Sequence, residues 1–200
     1  MIRIATRDSI PVSVFVVGEK VFANDTMKRL FQSYFDNSFI EIGNYSFTHA
    51  NKKYLQYYKN SQRVVSDFVL NTDTLHLVKK IVRLPGRNTW RINNKGRTDL
   101  PDANAVADSL AAKGYSIFGW DLEWRYRSGS CREVQTSEYL LKEIESLLSN
   151  KKAFFNNNII ILAHDPTFRC VYNQRQLELF IREIKKKKNY CFGRLENYPQ

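Results

Sequence analysis

Cysteine is scarce in this chain of 200 residues: Cys131, Cys170 and Cys191 are odd in number, widely spaced and form no Cys-x-x-Cys pair. That spacing excludes a cysteine-built metal module, so structural or free thiols are expected. No apolar run approaches the roughly 20 residues that a membrane span needs. The opening residues Met1-Ile2-Arg3-Ile4-Ala5-Thr6-Arg7-Asp8 mix charge with apolar side chains, which is not the pattern of a signal peptide. Internal repeats, low-complexity stretches and a dividing linker are also lacking. One domain is therefore expected over residues 1–200.

What is present belongs to a globular protein. Hydrophobic residues make up 43% of the chain and aromatics 14%, enough for a substantial core without metal or disulfide support. The formal net charge of +11 raises nucleic acid or another anionic partner. The basic residues are spread along the chain, however, and the one run, Lys185 to Lys188, closes a predicted helix. Cations there suit the helix dipole and face water. A basic nucleic-acid-binding protein is accordingly the weakest of three functional readings.

Pro11 to Gly18 (PVSVFVVG) reads as a buried strand between a proline and a glycine, after residues that suit a helix end or a lead-in. Asn24 offers an N-cap to a helix carrying Met27, Leu30, Phe31, Tyr34 and Phe35 at helical spacing. A second strand is predicted over Phe39 to Ile42, a helix over Asn51 to Asn71 and a third strand near Lys80 to Leu84. A helix opening at Pro101-Asp102 closes at Lys113-Gly114, and a fourth strand covers Tyr115 to Trp120. Thr136 or Ser137 caps a helix running through Leu148. A fifth strand spans Asn158 to Ala163, then a helix spans Gln174 to Lys187, and a short strand lies around Tyr190 to Phe192. Strands alternating with helices imply an α/β fold on a parallel sheet, either open and doubly wound or closed to a barrel. In both, function gathers at the carboxyl ends of the strands.

Four of those ends run into chemical groups: Asn44, Tyr45 and His49; Arg83 and Arg87; Asp121, Glu123 and Trp124; His164 and Asp165. Each also has a plain structural reading. His49 can be an ordinary loop histidine, Arg83 can pair with Asp121 only to hold the fold, and Trp120 and Trp124 can be core or lid aromatics. His76, far from any strand end, is expected to be structural.

These motifs resemble the polysaccharide deacetylases, the NodB-homology carbohydrate esterases. Glu41-Ile42-Gly43-Asn44-Tyr45-Ser46-Phe47-Thr48-His49 is similar to the family's Gly-Asn-His-(Ser/Thr)-x-x-His motif at a strand end, whose glycine turns the chain into the working loop. PVSVFVVG resembles the family strand that precedes it. Arg83-Leu84-Pro85-Gly86 resembles the Arg-x-Pro motif, and Trp120-Asp121-Leu122-Glu123-Trp124 resembles a shortened Trp-Asp motif. Ile159 to Asp165 resembles the closing Ile-x-Leu-x-His-Asp motif. The resemblance spans essentially the whole chain.

It implies a distorted parallel (β/α) barrel that removes acetyl groups from amino sugars or acetylated glycan, and it implies a divalent metal, zinc first, that activates water. Carried over by position, His49 is a metal ligand and His164 the general acid. Arg83 and Asp121 tune the catalytic acid and base, and Trp124 forms an apolar wall. Tyr45, Glu123 and Arg87 are expected at the substrate. Two departures stand out. The family's first strand, with its adjacent aspartates, has no counterpart in Met1 to Ile10, so the natural protein is expected to extend upstream. Tyr45 replaces the first histidine, and a phenol with a pKa near 10 is a poor zinc ligand. The expected function is a deacetylase-like hydrolase, impaired in this chain. The alternative is a non-catalytic glycan binder that needs no metal, in which Trp124, Trp90 and Tyr45 stack on sugars and Arg83 and Arg87 bond to them. Members of the family usually act on cell-envelope or extracellular glycan, but with no signal peptide in the chain its own location stays undecided.

Overall fold

A computed structural model describes residues 2–125 and 135–199. In chain order its elements are α1 (Ile2–Arg7), β1 (Val12–Val16), α2 (Gly18–Val21), α3 (Asp25–Phe35), β2 (Ile40–Asn44), α4 (Tyr54–Tyr57) and α5 (Ser61–Thr74). There follow β3 (Ile81–Val82), β4 (Thr89–Ile92), β5 (Lys95–Thr98), α6 (Asn104–Ala112), β6 (Ser116–Ile117) and β7 (Leu122–Glu123). The last are α7 (Ser137–Ser149), β8 (Ile161–Leu162) and α8 (Val171–Lys186). The chain divides into two compact units: a larger one of residues 11–119 and 194–198, and a smaller one built from residues 1–10 and 120–193.

The larger unit carries a six-stranded sheet in the order β1-β2-β3-β6-β4-β5. Its first four strands are parallel, with Val12 opposite Ile40 and Val16 opposite Asn44, as expected of strands joined by helices. β4 and β5 are antiparallel, both to each other and where β4 meets β6. This hairpin is a correction to the predicted all-parallel order. Asn93 at its turn has φ +44, a left-handed conformation that asparagine tolerates. α5 and α6 cover the sheet, burying Val64, Phe68, Val106, Ala107 and Leu110 against Val82, Leu84 and Ile117.

Local chemistry sets the element ends. The Asn24 side chain accepts from the Met27 N–H at 3.0 Å and starts α3. Asn60 does the same for the Arg63 N–H at 2.9 Å, and this cap breaks the helix predicted over Asn51 to Asn71 into α4 and α5. Gly43 lies within β2 and does not turn the chain there. A Cβ at that position would sit 2.8 Å from the Phe15 ring, so glycine lets that ring lie flat across the strand.

At the start of β2 the Glu41 carboxylate is 1% exposed. It accepts from the Leu195 N–H at 2.9 Å, the Glu196 N–H at 3.0 Å and the Ser13 hydroxyl, with the Lys79 ammonium at 3.4 Å. Buried carboxylates persist only with partners of this kind. The result is a latch that ties residues 194–198 to the sheet.

In the smaller unit β7 and β8 form a parallel pair, with Leu122 opposite Ile161. α7 and α8 pack together beside it, and Trp124 lies edge-on to Phe168 at 5.3 Å between ring centroids. α1 is tied to α8 by an Arg7–Glu178 ion pair at 2.9 Å and by the Lys185 ammonium, which donates to the Asp8 carbonyl at 2.6 Å. No strand forms around Tyr190 to Phe192, contrary to expectation. Cys191 is an exposed free thiol, whereas Cys170 is disulfide-bonded, which corrects the expectation of thiols alone. Among the described residues the strands make two separate sheets and no closed ring.

Candidate functional site

The loop after β2 is fastened from beneath by amides. Buried Asn44 donates to the Phe68 carbonyl at 2.8 Å and to the Thr72 hydroxyl at 2.9 Å, and its oxygen accepts from the Ser46 N–H and from Asn71, each at 2.8 Å. Asn71 also donates to the Val16 carbonyl, tying β1 to the same knot. One turn earlier on α5, the Asp67 carboxylate accepts from the Thr48 hydroxyl at 3.0 Å and from the Tyr57 hydroxyl at 2.7 Å. Burial pushes the Tyr57 phenol up, so it stays a donor. Asn71 and Asp67, missed from sequence, had a readable signal: two polar residues four apart on the inward face of an amphipathic helix.

On this base stand the rings. Tyr45 meets His49 edge-on at 4.4 Å and Phe15 at 6.2 Å, and His49 in turn meets Tyr54 edge-on at 5.9 Å. Tyr45, His49 and Tyr54 are half-buried. The backbone from His49 to Lys52 then turns left-handed, with φ of 50, 57, 47 and 63 at four successive non-glycine residues. Such conformations cost about 1–2 kcal/mol each and persist where surrounding bonds hold them. Here the Ser46 hydroxyl accepts from the His49 N–H at 3.0 Å.

The two arginines expected at the site, Arg83 and Arg87, are occupied internally. Arg83, 5% exposed, donates to the Phe118 and Gly119 carbonyls at 3.2 and 2.9 Å and lies over the Phe15 ring. Burial pushes its guanidinium down to about 10, which leaves it charged at neutral pH. Arg87 grips Asp102 with two bonds at 2.8 and 2.6 Å and packs over the Tyr58 ring. That hydrogen-bonded pair holds the Asp102 carboxyl below its ordinary range and raises Arg87. Trp90, expected to stack on sugar, is completely buried and is a core residue. Its indole N–H donates to Asn88 at 3.0 Å.

In the smaller unit, Glu123 ends β7 and His164 lies two residues beyond β8, and parallel pairing of the strands brings them together. The carboxylate lies 3.5 Å from His164 Nε2, both about one-third exposed, with Arg125 at 4.0 Å from the other carboxylate oxygen. Asp121 accepts from the Phe154 and Ile160 N–H groups at 2.8 and 2.9 Å, fixing the lead-in to β8. Trp124 is 3% exposed and donates to the Gln135 carbonyl. Asp165 is exposed at the start of a short turn.

The described residues around His49 do not fit a metal. Around His49 the neighbouring rings are phenols, and among the described residues no three His, Cys, Asp or Glu side chains gather so as to hold an ion. Catalytic zinc takes three protein ligands, and a neutral phenol beside imidazole is a poor substitute.

No family model matches the sequence. No curated protein matches it either. Solved structures do. A carbohydrate esterase of family 4 from Streptococcus mutans superposes with a TM-score of 0.68 at 21% identity, covering 96% of this chain and 77% of that one. A family 4 esterase from Streptomyces lividans, in complex with acetate, gives 0.61 at 14% identity over 96% and 82%. A family 4 pseudoenzyme from Bacillus anthracis gives 0.61 at 17% identity, covering 97% of this chain and 57% of that one. The chain has the fold of the family 4 carbohydrate esterases, the NodB-type polysaccharide deacetylase fold.

Proposed function

We propose that this chain is a glycan-recognising relative of the polysaccharide deacetylases that takes acetylated amino-sugar polymer without a metal and without hydrolysing it. One observation carries the reading. Tyr45 and His49 form one edge-to-face aromatic cluster, where a hydrolase of this fold would need a ligand set. Half-buried rings with polar edges suit the apolar face and hydroxyls of a sugar, and the left-handed turn after His49 exposes Asn51 and Lys52 beside them. The likeness to a pseudoenzyme of the same fold supports the reading. The disulfide at Cys170 supports an exported location, since such bonds persist in oxidising compartments.

A second reading, hydrolysis, is favoured by the Glu123–His164 pair, a carboxylate beside an imidazole of the kind that moves protons. Titration with chitohexaose decides between them. Under the binding reading the sugar binds equally well with and without chelator. Tyr45→Ala weakens binding about tenfold, the order of one lost stacking contact, and no acetate is released. Stoichiometric zinc at micromolar concentration, lost in His49→Ala and accompanied by acetate release, would overturn the binding reading and establish the hydrolase.

A further inference from the structure

The smaller unit holds a groove of about 720 Å³ between α1 and α8 that neither reading above uses. Among the described residues Arg7, Arg175, Arg182, Lys185 and Lys186 line it, against the carboxylates of Asp8 and Glu178, five cations facing two anions. The anions are already spoken for. Arg7 binds both, at 2.9 Å to each. Lys185 donates to the Asp8 backbone and Lys186 pairs with Glu183 at 2.7 Å. Arg175 has no ion-pair partner among the described residues, and Arg182 keeps only a long contact of 3.5 Å to Glu183. Arg175 and Arg182 stand seven residues apart on one face of α8, about 10 Å along the helix. Two guanidinium forks at that interval suit charges repeated along a polymer, since each fork can take a planar carboxylate through two parallel bonds.

The lining also says what does not fit. Among the described residues no aromatic side chain lines the groove, so they offer no platform on which nucleic-acid bases would stack. Its volume suits a few sugar units, within the range of ordinary ligand pockets, and not a duplex. We propose that this groove binds an acidic polysaccharide, with Arg175 and Arg182 holding carboxylates two sugars apart on the chain. The choice of a glycan rests on the function proposed above; the charge and shape of the groove do not.

The test is calorimetric titration of the full chain with a galacturonate hexasaccharide across a range of salt, beside neutral chitohexaose and a single-stranded oligonucleotide. The acidic sugar should bind at low salt and lose affinity steadily as salt rises. The double variant Arg175→Gln/Arg182→Gln should weaken it at least about tenfold while leaving chitohexaose binding unchanged, which also shows that the variant folds. The control Lys20→Gln/Lys59→Gln removes the same charge from exposed positions elsewhere and should have little effect. Equal weakening by both variants would reduce the effect to net charge and overturn the proposal. Tighter binding of the oligonucleotide than of the acidic sugar, through the same two arginines, would overturn the glycan assignment. Loss of chitohexaose binding in the unaltered chain, with galacturonate still bound, would sink the proposed function and leave the groove standing.

Discussion

At Lys52 the backbone and the side chain disagree. A lysine at φ +63 suffers the contact between Cβ and carbonyl that glycine avoids. Its side chain is exposed and contributes no core contact. Lys52→Gly should therefore raise stability by about 1 kcal/mol, shifting the melting temperature up by about 2–4 °C for a chain of this size. In a right-handed helical turn the same change would lower stability by a similar amount, so the sign of the shift reports the handedness of the turn that carries His49. The Arg87–Asp102 pair makes a second residue-scale claim. The folded pKa of Asp102 is depressed from an ordinary 3.8 by its bonds to Arg87. The stabilisation is thus present above pH 3.8 and is lost as pH falls through the lower folded value. With Asp102 one-third exposed, Asp102→Asn should cost about 1–2 kcal/mol at neutral pH. The gap between wild type and variant in thermal unfolding should close below about pH 3.8.

Among the elements, β2 does two jobs, one at each end. Its carboxyl end carries the loop of Tyr45 and His49, and its amino end carries Glu41, which fastens residues 194–198 through two backbone N–H groups. Replacing Glu41 by Gln keeps the shape but turns a donor group toward donors. About 3 kcal/mol of stability should be lost, as when one partner of a buried charge network is removed. Amide exchange should accelerate at Leu195 and Glu196. Removing the Asn24 cap of α3, which costs about 1 kcal/mol, should leave exchange at those residues unchanged. Element legibility followed physical cause. β1, α3 and α7 were readable because a β-branched run or a side-chain cap announces each one locally. The hairpin of β4 and β5 was not, because its second strand is Lys95-Gly96-Arg97-Thr98, polar and exposed, with no alternation of apolar residues to detect. The split between α4 and α5 was written in Asn60, an asparagine ahead of a new apolar stripe.

For the whole molecule, the ordered motifs at strand ends were enough to expose the fold, because a parallel sheet built by crossovers leaves few topologies. The site was less legible. Whether Trp90 faces sugar or core depends on packing that no local pattern encodes, and the state of Cys170 depends on a partner chosen by the folded chain. That bond gives the smaller unit its own testable stability. Its sheet is a pair of two-residue strands, too small to be stable alone, so cohesion falls on the packing of α7 and α8, on the contacts of Trp124 with Phe168 and Phe180, and on the disulfide at the start of α8. Reduction should lower stability by about 2–4 kcal/mol. The loss should also be local: hydrogen exchange should quicken along α8, and the near-ultraviolet signal of Trp124 should weaken before α5 in the larger unit responds. Equal acceleration in α5 and α8 would mean that the two units unfold as one. Unchanged exchange in α8 would mean that helix packing alone holds the smaller unit.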